Sequence, residues 1–285
     1  MLLEIKNINK HYGEKRVLTD VSFTASSGRT LGLLGRNGHG KTTTMKIMMG
    51  IIYGDSGEVL LDGSPLSKSK AKFGYLPEER GLYQKVQILE QMIYFGKLRG
   101  MSFAGAKKSA TELLEKLEMT EHLKKKADTL SKGNQQKIQL AITLLNDPDI
   151  IILDEPFSGL DPVNAKTLSN IIEENAVRQK VIIFSSHQMA QVEEFCQDVC
   201  IIKHGVVKLT GNLHEIKNSY PRDKVLVVTE NGECHQVQAP ADGDLASIAN
   251  EYKAKGMGVD SISILRPSLL EIFLEKVGED NVEGA

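Results

Sequence analysis

Over residues 2–23 the apolar positions recur in short, roughly alternating runs broken by Gly13, the period-two pattern of an antiparallel hairpin layer. RTLGLLG then turns apolar throughout, as a buried strand does, and KTTTMKIMMG carries helical spacing at Met45, Met48 and Met49 until Gly50 stops it. A glycine-rich turn joins the two. DSGEVLLDG reads as a strand between turns, and residues 86–126 read as helical: ILEQMIYFGKLRG, then SFAGAKKSATELLEKLEM with Ser102 as its cap, then a short helix after Thr120. DIIILDEP and KVIIFSSH are β-branched apolar runs of the kind buried parallel strands show, separated by a helix-length segment at 163–178. CIIKHGVVKLTG reads as a hairpin around His204 and Gly205.

After NSYPRD the character changes. Strands are expected at 225–228 and 234–237, a helix over 243–255, a strand at 259–265 and a closing helix after Pro267. The predicted organisation is therefore an α/β three-layer sandwich over residues 1–218, with an antiparallel β layer and a helical subdomain at about 82–135, followed by a small α+β domain over 222–285. No internal repeat or low-complexity tract interrupts it.

Charge adds a bias within the chain. Residues 222–285 hold 6 Lys and Arg against 12 Asp and Glu, so the tail is acidic while the net charge of the whole is only −2. That balance gives no general attraction to nucleic acid or to an anionic membrane. Cys196, Cys200 and Cys234 are too few for a disulfide framework and lack histidines at zinc spacing, so they are expected as reduced thiols. The first residues lack the apolar stretch of a signal peptide, and no uncharged apolar run approaches the roughly 18 residues that span a bilayer. The chain is not expected to enter a membrane by itself.

The chemistry concentrates in the glycine turn. Gly35, Arg36, Asn37, Gly38, His39, Gly40, Lys41 and Thr42 fit G-x-x-x-x-G-K-[ST], followed by Thr43. In that pattern backbone amides wrap a phosphate chain, a lysine reaches its outer oxygens and a hydroxyl binds magnesium. The helix that begins near Lys41 brings its positive end to the same spot. His39 is expected to be exposed. Asp154 and Glu155 end an apolar strand, where unpaired carboxylates are costly and a purely structural role is unfavourable.

The ordered set GRNGHGKT, TLSKGNQQKIQL, IIILDEP, GLDP and SSH resembles the motifs of ATP-binding cassette (ABC) proteins, over residues 2 to about 217. The resemblance implies a P-loop fold that binds ATP and Mg2+. It implies that Lys41 and the loop amides hold the phosphates, that Thr42 and Asp154 hold magnesium, and that Glu155 is the general base for the attacking water. His187 resembles the switch histidine at the γ-phosphate, and Tyr12 the aromatic that stacks on the base. Glu78 stands at the lid position, where the family has a glutamine and where a carboxylate can accept a magnesium-bound water; Glu79 is the alternative. Ser131, Gly133 and Gln135 lie in the signature motif that caps a nucleotide held by the opposite subunit, with Lys132 and Asn134 in place of the usual glycine and glutamine. Asp161 is similar to the D-loop acid that crosses between subunits. His11, His122, His204, His214 and His235 carry no assigned role.

The resemblance further implies a subunit paired with a copy of itself or a second cassette, and an integral-membrane permease as partner, with residues 82–100 beside it. It implies a place at the cytoplasmic face of the membrane. RPSLLEIFLEKVGE resembles the C-terminal domain of ATPase subunits whose permease, often of the exporter type, is a separate polypeptide. The alternative is a soluble cassette ATPase acting on ribosome or nucleic acid. That class carries two cassettes with a basic linker, or a long coiled coil between phosphate loop and signature, and here only 89 positions separate Lys41 from Leu130.

Overall fold

The computed structural model describes residues 1–79, 81–221, 224–240 and 244–278. The chain folds as two units, Met1–Gly211 and Asn212–Ala285.

In the first unit, β1 (Leu2–Tyr12) and β2 (Lys15–Ser26) form the expected hairpin, followed by β3 (Thr30–Leu34), α1 (Lys41–Met48), β4 (Ser56–Leu61), β5 (Ser64–Pro65) and β6 (Phe73–Leu76). Two helices, α2 (Ile88–Leu98) and α3 (Phe103–Lys116), make the helical insertion, and α3 is capped by Ser102, whose side chain accepts from the Gly105 amide. The helix expected after Thr120 is a single 3-10 turn, Thr120–His122. Then come α4 (Lys132–Leu144), β7 (Ile150–Asp154), α5 (Pro162–Val177), β8 (Val181–Ser186), α6 (Met189–Phe195), β9 (Asp198–Lys203) and β10 (Val206–Asn212).

The strands sort into an antiparallel sheet of order β2-β1-β4-β5 and a six-stranded sheet of order β10-β9-β3-β8-β7-β6. Within the latter, β9, β3, β8, β7 and β6 pair in parallel. Alternation then decides which side chains face which layer. Leu31, Leu33, Ile150, Ile152, Val181, Ile183, Cys200 and Ile202 join Leu3, Ile5, Leu18 and Phe23 of the antiparallel sheet and Met45 and Met48 of α1 in one buried cluster. The opposite face meets helices. Gly32 has no room for a side chain there, since a Cβ would lie 2.4 Å from Val192 and 2.9 Å from Cys196 of or just after α6. Burying both faces is why these strands are apolar throughout. Parallel order also brings the C-terminal ends of β3, β7 and β8 together at one edge, where ligands of open α/β sheets bind.

In the second unit α7 (Leu213–Ser219) precedes an antiparallel sheet of order β12-β11-β13, built from β11 (Lys224–Thr229), β12 (Cys234–Gln238) and β13 (Val259–Leu265). Two further helices are α8 (Leu245–Ala254) and α9 (Leu269–Val277). Val225, Val227, Ile248 and Tyr252 form its core. The expected break after residue 218 differs from the division after Gly211. Asn212 caps α7 by accepting from the Glu215 amide at 3.0 Å, which starts that helix inside the second unit.

Candidate functional site

The loop between β3 and α1 owes its shape to glycines. Gly38 and Gly40 take φ of 79° and 102°, and a Cβ on Gly40 would lie 2.6 Å from Leu18 Cδ2. At Gly35 a Cβ would meet the Ile202 carbonyl at 2.5 Å. The loop curls round the Lys41 ammonium, which donates to the Gly35 carbonyl at 2.7 Å and stands 3.9 Å from Glu155 Oε1. Burial pushes the Lys41 pKa down, with Glu155, Asp154 and Glu78 opposing the shift. A cationic amine on a glycine-walled loop beside a helix start is an arrangement that can cradle a phosphate.

The acidic half is assembled from strand ends. Asp154, almost fully buried at the end of β7, receives the Thr42 hydroxyl on Oδ2 at 3.0 Å and the Ser185 hydroxyl on Oδ1 at 2.6 Å. Ser185 Oγ in turn accepts from the Glu155 amide at 2.9 Å. Glu155 itself sits in the left-handed region, φ 49°, where a non-glycine residue is strained. That turn aims its carboxylate between Lys41 and His187: Oε2 is 2.9 Å from His187 Nδ1, and Oε1, 3.9 Å from Lys41 Nζ, is buried without a hydrogen-bond partner. Tyr75, at the end of β6, lies against Asp154 and Glu78, and its burial next to those carboxylates pushes the phenol up to about 12.

An open cleft of about 600 Å³ joins these parts, lined by Tyr12, Lys15, Arg16, Val17, Arg36, Asn37, Gly38, Gly40, Lys41, Thr42, Thr43, Glu78, Asp154, Glu155 and His204. Of these, Tyr12 is half-exposed. Glu78 lines the cleft, whereas Glu79 lines a neighbouring acidic recess with Glu78, Gln136, Glu155 and Ser158. Helix α4 holds the lid turn through Gln139, which donates to the Pro77 and Glu79 carbonyls at 3.4 and 3.2 Å. The hard oxygens of Thr42 and Asp154, side by side and facing the phosphate loop, are the donor chemistry a magnesium ion takes, so the residues present fit that ion.

His39 departs from expectation. It is buried, 8% exposed, with its ring 4.6 Å from that of His204 and with Nδ1 lacking a hydrogen-bond partner. Burial, then His204, holds its pKa below the ordinary value. The loop turns the ring inward because the His39 carbonyl accepts from the Gly205 amide at 3.1 Å, which fastens the phosphate loop to the β9–β10 turn. His204 thus lines the cleft although nothing near it in sequence signals a role. His122 is also buried, and its Nε2 is 3.4 Å from Asn134 Nδ2, so the asparagine in the signature segment has a partner.

Ser131, Gly133, Gln135 and Asp161 do not line this cleft. Ser131 caps α4 by accepting from the Asn134 amide at 3.3 Å. Gly133 abuts the start of α5, where a Cβ would lie 2.7 Å from Asn164 Nδ2 and 3.9 Å from Asp161. Gln135 turns inward, donating to the Ala127 and Leu130 carbonyls at 2.9 and 3.3 Å, and so ties the start of α4 to the short 3-10 turn before it. The sequence reading missed Ser185, a polar residue inside an otherwise apolar strand; that polarity is the available signal.

A family model described as ABC transporter matches residues 18–158. The chain is 37% identical to the uncharacterized ABC transporter ATP-binding protein YhaQ of Bacillus subtilis (strain 168), over 97% of this chain and 99% of that protein. It is 33% identical to the Nod factor export ATP-binding protein I of Burkholderia lata, covering 76% of this chain and 73% of that one. A solved structure of the ATP binding subunit of an ABC transporter superposes with a TM-score of 0.70 at 31% identity, covering 76% of this chain and 92% of that chain.

Proposed function

The chain belongs to the ABC transporter family as an ATP-hydrolysing, ATP-binding subunit of a transporter, and on that premise we propose that it drives an exporter whose permease is a separate polypeptide. Two cassettes, this chain and a copy or close relative, close head to tail over ATP. The observation that carries the reading is the split of functional residues. The cleft holds Lys41, Thr42, Asp154 and Glu155, while Ser131 and Gly133 lie outside it in the same chain. A signature motif that does not reach its own phosphate loop is available to complete a partner's.

In that reading the loop amides and Lys41 hold the phosphates and stabilise charge on the transferred phosphoryl. Thr42 and Asp154 would hold Mg2+, with Glu78 placed to accept from its water shell, and the ion would supply charge neutralisation to the phosphates. Glu155 takes a proton from the attacking water, and His187, hydrogen-bonded to it, orients that pair. Tyr12 stacks on the base. Residues 82–100 transmit closure to the permease, and Tyr83 and Tyr94, about half-exposed and ring-to-ring at 6.1 Å, give that segment an apolar contact surface. Export is supported by the relative named for Nod factor export. Among the described residues no helix is long and apolar enough to cross a membrane, and in this reading the permease supplies the transport path. The second unit is assigned to regulation or pairing, since none of the groups given a chemical role lies in it.

Affinity co-purification from detergent-solubilised membranes tests this. A polytopic membrane protein should be recovered at a fixed ratio to the chain, and vesicles holding both should show ATP-dependent substrate movement. Recovery of ribosomes or nucleic acid in its place would reverse the assignment to the soluble class.

A further inference from the structure

The end of β1 that carries Tyr12 is weakly held by its sheet. On the β2 side the ladder is irregular, with register shifts on both sides of Lys10 before the Tyr12–Lys15 pair. On the β4 side the ladder stops earlier, at Asn9 opposite Ser56. Residues 10–12 therefore run past the end of β4 with no strand on that flank.

Asp55, in the turn just before β4, occupies that flank. Its amide donates to the Asn9 carbonyl at 2.8 Å, anchoring the turn to β1. Its carboxylate then reaches forward. Oδ2 accepts from the His11 backbone amide at 2.6 Å and is 3.1 Å from His11 Nδ1, while Oδ1 accepts from Lys10 Nζ at 3.0 Å. The ammonium so held lies 5.5 Å from the centroid of the Tyr12 ring. One carboxylate thus replaces a missing strand partner for the residue before Tyr12 and parks a cation against Tyr12 itself.

We propose that Asp55 is a positioning residue for nucleotide binding: by fixing the His11 amide and the Lys10 ammonium it sets the pose of the Tyr12 ring that receives the base. This rests on the reading of Tyr12 as the stacking aromatic. The Lys10 hydrogen bond, followed by those from His11, holds the Asp55 carboxyl down at about 2, so the clamp is charged throughout the neutral range.

The test separates base from phosphate recognition. Dissociation constants for ATP and for inorganic tripolyphosphate are measured by titration calorimetry on the full chain and on Asp55→Ala, Tyr12→Ala and the double variant. Tyr12→Ala should weaken ATP by about 10-fold or more, the scale of one base–aromatic stack. Asp55→Ala should weaken ATP by roughly 5-fold, part of that same stack, with tripolyphosphate unchanged within about 2-fold. In the Tyr12→Ala background the Asp55 effect should vanish. Equal loss for ATP and tripolyphosphate would mean a general structural role and overturn the proposal, as would full ATP affinity in Asp55→Ala beside a weakened Tyr12→Ala. An unchanged Tyr12→Ala would sink the stacking reading itself and the proposal with it. Lys10→Met, which keeps the stem and removes the ammonium, gives the same readout should Asp55→Ala not fold, and Asp55→Asn, still an acceptor for the His11 amide, should recover part of the affinity.

Discussion

Replacing Ser185 by alanine probes the acidic half of the site through a residue that does not line the cleft. The hydroxyl is wholly buried and makes two bonds, donating to Asp154 Oδ1 at 2.6 Å and accepting from the Glu155 amide at 2.9 Å. Losing the first removes a charge-assisted bond, about 2 kcal/mol; losing the second leaves a buried N–H unpaired, about 1–2 kcal/mol. The sum, roughly 3 kcal/mol, is a large fraction of a domain's stability but does not exceed it. With a urea slope of about 3 kcal/mol/M for a unit of this size, the midpoint should fall by roughly 1 M. Ser186 supplies the control. It is equally buried and adjacent, but its hydroxyl oxygen accepts from the Gln188 amide at 3.0 Å and lies 3.4 Å from Gln191, with no carboxylate involved. Ser186→Ala should cost about 1 kcal/mol. Equal shifts for the two serines, or a Ser185→Ala midpoint within error of wild type, would refute the reasoning. The same variant should lower ATP turnover, because Asp154 and the Glu155 turn both lose a fixed partner.

Two further outcomes follow from side-chain placement. Gln135→Ala should cost about 1 kcal/mol in urea unfolding and leave the ATP dissociation constant within about twofold, because its amide donates to the Ala127 and Leu130 carbonyls just before α4 and not into the cleft; a tenfold loss of ATP affinity with normal stability would return Gln135 to the nucleotide site. At pH 8 a thiol reagent should modify one cysteine per native chain, exposed Cys234, and three only in denaturant, because burial holds the Cys196 and Cys200 thiols well above their ordinary range and keeps them protonated; three fast reactions in the native protein would contradict that.

How much was legible in the sequence follows from how local each feature is. The phosphate loop is a contiguous run whose glycines state their own backbone demands, and Asp154 and Glu155 end a strand whose apolar run is read without any partner. Long periodic elements such as α3 and α5 were equally plain. Short ones were not. α6 and α7 have seven residues each, about two turns, too few for a helical period to register, and Gly74 breaks the β-favouring run of β6, FGYL. The misread histidines have a different cause. The burial of His39 depends on a loop 165 positions away, where His204 and Gly205 close over it, and no local pattern encodes that contact. Asp55 hid for the same reason: DSG announces a turn, and only the staggered end of the β1–β4 ladder reveals what its carboxylate is for.

The assignment of Glu155 as the base for ATP hydrolysis in this cleft rests on a carboxylate 2.9 Å from His187 whose other oxygen is buried beside Lys41 without a hydrogen-bond partner. The most direct measurement is the identity of the nucleotide recovered from purified Glu155→Gln after incubation with ATP and Mg2+. The variant should bind ATP as wild type does and return it intact, with turnover reduced by about 10²-fold or more, while wild type returns ADP and phosphate. ADP forming in the variant at the wild-type rate would contradict it.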